Sequence, residues 1–68
     1  MSTLIASAEP VLVPVKEAGR LLNLSRSVVF ELIRTGRLRA VKEGRARRVP
    51  RAAIDEYVAL LEREATEH

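Results

Sequence analysis

Apolar and polar residues recur at helical spacing near the start of the chain and predict a short helix there. Four apolar residues fall on one face: Val15, Ala18, Leu21 and Leu22. Pro14 suits the first position of a helix, and Asn23 tolerates the left-handed conformation that often ends one. Gly19 weakens helix propensity, so we expect it to permit close approach of a neighbouring helix. The pattern predicts a helix over residues 15–22 with its apolar face buried.

A second amphipathic segment begins after only two residues, Asn23 and Leu24. Ser25 is a good N-cap, and Leu24 and Val29 are spaced for a hydrophobic staple. The segment ends at about Thr35, before the stop signal Gly36. One face carries Val29, Leu32 and Ile33, and the opposite face carries Ser27, Glu31 and Arg34, with Val28 and Phe30 at its flanks. Two short helices joined this tightly predict a helix-turn-helix, whose second helix presents the recognition surface.

The remaining pattern predicts a hairpin and a last helix. Residues 38–42 and 46–49 are predicted to be strands, and Gly44 supplies the positive φ that the turn between them needs. In the first of these strands, Leu38, Ala40 and Val41 are expected to point inward. After Pro50, a helix is predicted from Arg51 to about Glu64. Its apolar stripe, expected to be core, consists of Ile54, Tyr57, Val58 and Leu61.

Together these elements predict one mainly α domain with a small β-hairpin, a winged helix-turn-helix in which the hairpin is the wing. Residues 11–13 are predicted to be a short edge strand. Residues 1–10 are expected to form a flexible N-terminal arm, residues 11–64 the folded domain and residues 65–68 a C-terminal tail. A chain of 68 residues has no room for a second domain and buries only a small core.

The composition excludes several kinds of function. The chain has no cysteine and one histidine, His68, so neither a disulfide nor a metal cluster is expected. No nucleophile–base pair and no glycine-rich phosphate loop are present, so we predict no enzyme, no catalytic residues, no metal and no cofactor. The apolar runs are far shorter than the ~18 residues of a membrane span. With no signal peptide recognisable, we expect a cytoplasmic protein without a membrane partner.

The charge is unevenly distributed. The chain carries 12 basic and nine acidic residues, a net charge of +3. Residues 34–51 hold eight basic residues and one acidic residue, whereas residues 55–68 hold five acidic residues and one arginine. A concentrated basic segment is typical of proteins that bind polyanions. Charge alone leaves a solvated basic face as the other interpretation.

Three segments in order resemble a known family of DNA-binding proteins. They are VKEAGRLLNLSRS at residues 15–27, LIRTGRLRAV at residues 32–41 and GRARRVPR at residues 44–51. Across residues 11–61 this combination resembles the excisionase family, whose members have a MerR-like winged helix-turn-helix. The resemblance implies that the second helix enters the major groove of DNA and that the wing contacts the adjacent minor groove.

Carried over position by position, the resemblance implies ten DNA-binding residues. They are Ser25, Arg26, Ser27, Phe30 and Arg34 on the second helix, and Lys42, Gly44, Arg45, Arg47 and Arg48 on the wing. Three positions depart from the family pattern. Pro14 replaces a Ser or Thr cap, Phe30 replaces a common Tyr, and Glu31 places an acid where a basic or neutral group is usual. Phe30 cannot donate to a phosphate but can pack on a sugar or a thymine methyl group.

Several of these assignments have a structural alternative. Arg34 either reads guanine or only pairs with Glu31 three residues earlier. Glu31 either accepts a hydrogen bond from cytosine or repels phosphates and lowers affinity. Arg47 and Arg48 alternate across their strand, so they cannot face DNA equally. Phe30 is either a contact or a rim residue of the core, and Lys16 and Arg20 either touch the DNA backbone or are merely solvated.

The resemblance implies an excisionase, or recombination directionality factor, that associates with the nucleoid. Such a protein binds double-stranded DNA in several cooperating copies, bends it, and helps a phage integrase excise an integrated element. The alternative is a small transcriptional repressor of the same fold. A more distant alternative is a protein–protein interaction module whose basic face meets an acidic partner. No small-molecule substrate is expected under any of the three.

Overall fold

Three helices and one small sheet follow one another along the chain. The structure is a computed structural model that describes residues 11–67, so the predicted N-terminal arm lies outside the described residues. Its elements in chain order are β1 Leu12–Pro14, α1 Val15–Leu22, α2 Arg26–Arg34, β2 Val41–Glu43, β3 Ala46–Pro50 and α3 Arg51–Thr66. The predicted fold class, a mainly α winged helix-turn-helix, is confirmed.

The turn between α1 and α2 is built by local hydrogen bonds. Asn23 adopts the left-handed conformation, with φ 60°. The next amide, that of Leu24, donates a 2.8 Å hydrogen bond to the carbonyl of Gly19, which is a Schellman closure of α1. Ser25 then begins α2, since its Oγ accepts a 3.2 Å hydrogen bond from the Val28 amide. The predicted short turn and the predicted N-cap are both present.

The end of α2 explains why the first wing strand starts later than predicted. Gly36 has φ 83°, and the Arg37 amide donates a 2.9 Å hydrogen bond to the carbonyl of Leu32. The Leu38 amide donates to the same carbonyl over 3.1 Å. Because these amides cap the helix, they are not available to a strand ladder. The predicted strand from residue 38 is therefore wrong at its start, and β2 begins only at Val41.

The sheet is antiparallel and has the order β1-β3-β2. The predicted edge strand near residue 12 exists as β1, which pairs Val13 with Val49 of the central strand. In the wing, Lys42 of β2 lies opposite Arg47 of β3. Gly44 is the first residue of the two-residue turn and has φ 60°, as a type II′ hairpin turn requires.

One apolar cluster joins the helices to the sheet. Its buried members are Val13, Val15, Ala18, Val29, Leu38, Val49, Ala53, Ile54 and Tyr57. Three residues that the sequence pattern assigned to the core are instead exposed: Leu21 at 37%, Val58 at 39% and Leu61 at 41%. In α1, Gly19 takes the buried position in place of Leu21. In α3, Leu60 is the last residue packed against the core although the helix continues to Thr66, so Leu61 lies beyond the core. Val58 lies on the solvent side of the same helix.

Val41 also differs from its prediction, since it is 37% exposed rather than inward. All three residues of β2 are exposed, which places the wing outside the core. No helix within residues 11–67 is long and apolar enough to cross a membrane.

Candidate DNA-binding surface

The outward face of α2 is polar and fully open to solvent. Because Val29 is completely buried, the side chains on the opposite side of the helix point away from the core. Ser27, Glu31 and Arg34 lie on that side and are exposed, and Arg26 and Phe30 are exposed along one flank of it. This set contains every candidate that the sequence placed on the second helix except Ser25, which is exposed at the N-cap.

Phe30 belongs to this surface and not to the core. Its side chain is 42% exposed, and it is outside the buried cluster and the partly buried residues packed against it. The guanidinium carbon of Arg26, one turn earlier, lies 5.9 Å from the centre of the Phe30 ring. This distance is within the range of a cation–π contact. The helix thus offers a cation and an apolar ring edge side by side.

Glu31 and Arg34 form an ion pair at the middle of the same face. Both guanidinium nitrogens on one edge of Arg34 donate to the carboxylate, with Nε 3.2 Å from Oε1 and Nη2 bonded to Oε2. The two side chains remain 58% and 71% exposed. The hydrogen bonds that Arg34 donates to the Glu31 carboxylate raise the pKa of the Arg34 guanidinium. The predicted pairing of these residues is therefore present, and it does not remove Arg34 from the surface.

Three cations of the wing form no ion pair with any residue in the range 11–67. Lys42 and Arg47 lie opposite each other on neighbouring strands and so project to the same face. Arg45 occupies the turn beside Gly44. Within residues 11–67 no carboxylate forms an ion pair with Lys42, Arg45 or Arg47. Positive charge that is free to meet an anion is thus concentrated on the wing.

Arg47 and Arg48 point to opposite faces, as the alternation along a strand requires. Arg47 is exposed on the face of Lys42, whereas Arg48 lies opposite Val41 with its side chain 34% exposed. The Nε of Arg48 is 3.8 Å from Oε1 of Glu43, a loose ion pair. Arg47 is therefore the better placed of the two for an anion.

An open groove connects the wing to the end of α2. Its lining includes Ile33 and Gly36 from the end of the helix, Arg39 from the connecting loop, and Lys42 and Arg47 from the wing. The end of α2 and the wing, which the sequence analysis predicted to form one surface, are thus adjacent in space. The local patterns predicted each unit but not this junction.

Two arginines of the basic segment are held by α3 instead. Arg37 donates from Nη1 and Nη2 to Glu64, at 3.1 and 2.9 Å. Arg39 donates from Nε and Nη2 to Glu56, at 3.3 and 2.9 Å. These hydrogen bonds raise the pKa of both guanidinium groups. The acidic end of the chain therefore neutralises part of the basic segment, which the sequence alone did not indicate.

A second pair of cations, Lys16 of α1 and Arg26 of α2, lies near the start of α2. The sequence analysis assigned Arg26 to DNA binding and left Lys16 undecided. Lys16 and Arg26 line one shallow groove together with Leu24. Within the described part of the chain neither cation has a carboxylate partner, whereas Arg20 is paired with Glu17. Lys16 is thus an additional candidate for a phosphate contact.

No group of three or more His, Asp or Glu side chains in residues 11–67 is arranged to hold a metal ion. The described surface instead consists of an exposed helix with mixed polar chemistry and an adjacent cationic hairpin. This combination defines a winged helix-turn-helix protein.

Comparison with known proteins places the chain in one family. The family described as "Helix-turn-helix domain" matches residues 13–59. A "Probable excisionase" of Saccharopolyspora erythraea is 45% identical over 51 residues, which cover 75% of this chain and 52% of that protein. An "Excisionase" of Streptomyces ambofaciens is 39% identical over 54 residues, which cover 79% of this chain and 87% of that protein.

The chain therefore belongs to the excisionase family of DNA-binding helix-turn-helix proteins, as the sequence resemblance implied. It spans about half the length of the Saccharopolyspora relative. No solved structure matches the chain significantly.

Proposed function

We propose that this protein is an excisionase, a factor that binds double-stranded DNA sequence-specifically and promotes integrase-mediated excision of a phage or other integrated element. The observation that carries the proposal is the wing, where Lys42, Arg45 and Arg47 have no carboxylate partner within residues 11–67. The wing lies beside the end of α2, the exposed second helix of the helix-turn-helix. The family membership supports the same conclusion.

The two parts of the surface have different tasks in this proposal. An α-helix with its side chains is about 10–12 Å across, which fits the width of the major groove, about 12 Å, so α2 can lie in it. Ser27, Phe30 and Arg34 face the base edges, while Arg26 and Lys16 meet the backbone at the start of the helix. The wing contacts phosphates through Lys42, Arg45 and Arg47. Phosphate contacts fix the register of the protein, and base contacts specify the sequence.

The role of this protein in excision is to shape the DNA, because the integrase carries out the chemical steps. Bending a site of 20–30 base pairs by 40–90° costs of order 1–6 kcal/mol. A single domain of this size has only a small interface with DNA, and its contacts must offset that cost. Several copies bound side by side distribute the bending cost among them. We therefore propose that the protein binds DNA cooperatively and that the bent complex recruits the integrase.

Selection of bound duplexes from a random-sequence library tests the proposal. Enrichment of directly repeated, closely spaced half-sites supports a head-to-tail assembly of several copies. An inverted repeat instead indicates a two-fold symmetric dimer and a transcriptional repressor. A library in which no duplex is enriched at any salt concentration contradicts sequence-specific binding and favours a protein partner.

A second measurement tests the architectural role. The enriched site is placed at different positions in fragments of equal length, and gel mobility of each complex is compared. We expect the mobility of the complex to depend on the position of the site. This dependence should become stronger as more half-sites are occupied. Uniform mobility at full occupancy means that the protein binds without bending, which removes the proposed mechanism while leaving DNA binding intact.

A further inference from the structure

The Glu31–Arg34 pair lies where a charged residue has the greatest effect on DNA recognition. With Ser27, these two side chains form the centre of the exposed face of α2, opposite buried Val29. A lone carboxylate at this position would oppose a polyanion. The ion pair cancels that charge, and it does so without withdrawing Arg34, whose side chain remains 71% exposed.

The hydrogen bonds leave a particular edge of Arg34 available. A guanidinium has five N–H donors in a fixed planar fork. Glu31 takes one donor from Nε and one from Nη2. Two N–H donors on Nη1 and one on Nη2 remain. One N–H of Nη1 and the remaining N–H of Nη2 point in parallel from the end of the side chain. Because the bidentate pair holds the plane of the fork, it favours one direction of this free edge before DNA binds.

We propose that Glu31 is a positioning residue that orients Arg34 to read a guanine in the major groove. The assignment rests on the proposed function, since it requires α2 to enter that groove. Of the four bases, only guanine presents two adjacent acceptors there, N7 and O6, which match two parallel donors. Adenine and cytosine each present an amino donor, and thymine presents one acceptor beside a methyl group. The oriented end of Arg34 therefore selects one G·C base pair.

The chain contains a matched control for this pair. Glu17 and Arg20 have the same i, i+3 spacing on α1 and the same two hydrogen bonds, 2.9 Å from Nε and 2.6 Å from Nη2. Arg20 is equally exposed, at 70%. The two pairs differ in location, because only Glu31–Arg34 lies on the helix that presents the recognition surface. Glu17→Gln removes the same charge as Glu31→Gln without altering α2.

The test measures base preference and total affinity separately. Wild type, Arg34→Ala, Glu31→Gln, the double variant and Glu17→Gln are each titrated with the enriched duplex, with duplexes changed at single base pairs, and with a random duplex. We expect Arg34→Ala to lose a guanine preference of roughly 5- to 150-fold at one base pair. We expect Glu31→Gln to lose most of the same preference while binding the random duplex more tightly.

The double variant and the control identify positioning. Glu31→Gln is expected to have little further effect on base preference when Arg34 is already alanine, because its influence passes through Arg34. Glu17→Gln is expected to leave base preference unchanged. Since none of the altered side chains is buried, circular dichroism melts should show that every variant folds.

Three results would overturn the assignment while leaving the proposed function intact. If Glu31→Gln strengthens binding to all duplexes equally and keeps the guanine preference, Glu31 acts only by repulsion. If it instead loses preference for a cytosine whether or not Arg34 is present, Glu31 reads that base itself. If Arg34→Ala changes no base preference at a site that wild type selects, Arg34 is a backbone contact. Absence of any selected site for wild type would contradict the proposed function and this assignment together.

Discussion

The carbonyl oxygen of Leu24 lies 2.8 Å from the point that a β-carbon on Gly19 would occupy. The Leu24 amide at the same time donates a hydrogen bond to the Gly19 carbonyl. The turn of the helix-turn-helix therefore closes directly onto the surface of α1 at a position where a side chain does not fit. Cγ2 of Val29 lies 3.4 Å from the same point, so α2 also packs there. The placement of α2 against α1 depends on this glycine.

Gly19→Ala is expected to destabilise the protein. Alanine favours a helix by about 1 kcal/mol over glycine, but its methyl group would meet backbone at Leu24, which cannot move without opening the turn. We expect a net loss of roughly 1–3 kcal/mol in the free energy of unfolding, measured by urea denaturation. Ser27→Ala, on the exposed face of α2, is the control and should change stability by less than about 0.5 kcal/mol. Equal stability of Gly19→Ala and wild type would show that the turn relaxes freely.

Leu38 and Val41 provide a test of where the core ends. Leu38 is 1% exposed and Val41 is 37% exposed, although the sequence pattern placed both inward on one strand. Leu38→Ala should cost roughly 2–5 kcal/mol, which approaches the whole stability of a domain this small. Val41→Ala should cost much less, about 0.5 kcal/mol. Thermal melts followed by circular dichroism measure both, and similar losses for the two variants would contradict the placement of β2 outside the core.

The salt dependence of DNA binding should report the number of cations that meet phosphates. On α1, α2 and the wing, five cations form no ion pair within residues 11–67, and a sixth, Arg48, forms only a loose one. The five are Lys16, Arg26, Lys42, Arg45 and Arg47. Neutralising about six phosphates predicts a slope of log K against log salt near −5. Fluorescence anisotropy titrations at several salt concentrations measure it. A slope near zero would contradict binding to nucleic acid.

Arg45 is the wing residue with the clearest expected effect, because it lies in the turn and has no ion pair within the described part of the chain. Arg45→Ala should weaken binding to specific and random duplexes alike and reduce the salt slope by about 1. Arg63→Ala removes the same charge from α3 and should leave the slope unchanged. If the two variants behave identically, only net charge matters and the wing has no special place in the interface.

Glu56 should limit non-specific binding by holding Arg39. Arg39 lines the groove beside Lys42 and Arg47, but its guanidinium is committed to Glu56. Glu56→Gln releases this arginine, so we expect tighter binding to random DNA at low salt and a salt slope steeper by up to about 1.

Glu62→Gln is the control for that variant, because Glu62 is exposed on the same helix and forms no ion pair within residues 11–67. An equal gain in affinity for the two variants would mean that Glu56 acts only through net charge. A larger gain for Glu56→Gln would locate the effect at Arg39.

Short-range features of the fold were predictable because they depend on neighbouring residues. Ser25 caps α2, Asn23 and Gly36 end the two helices, and Gly44 turns the hairpin, each through backbone conformation or hydrogen bonds over a few residues. The exposed face of α2 followed from the spacing of Val29 and its neighbours. The family was recognisable for the same reason, since its motifs contain these turn and cap residues.

The order of helices and strands and the clustering of basic residues in one segment were therefore determined by the sequence itself. Which of those cations remain free was decided only by the tertiary structure. Arg37 and Arg39 meet Glu64 and Glu56, which are 27 and 17 residues away along the chain. Such contacts depend on how α3 packs over the loop, and no local periodicity encodes them. The same packing left Leu61 exposed, because a small core ends before a long helix does.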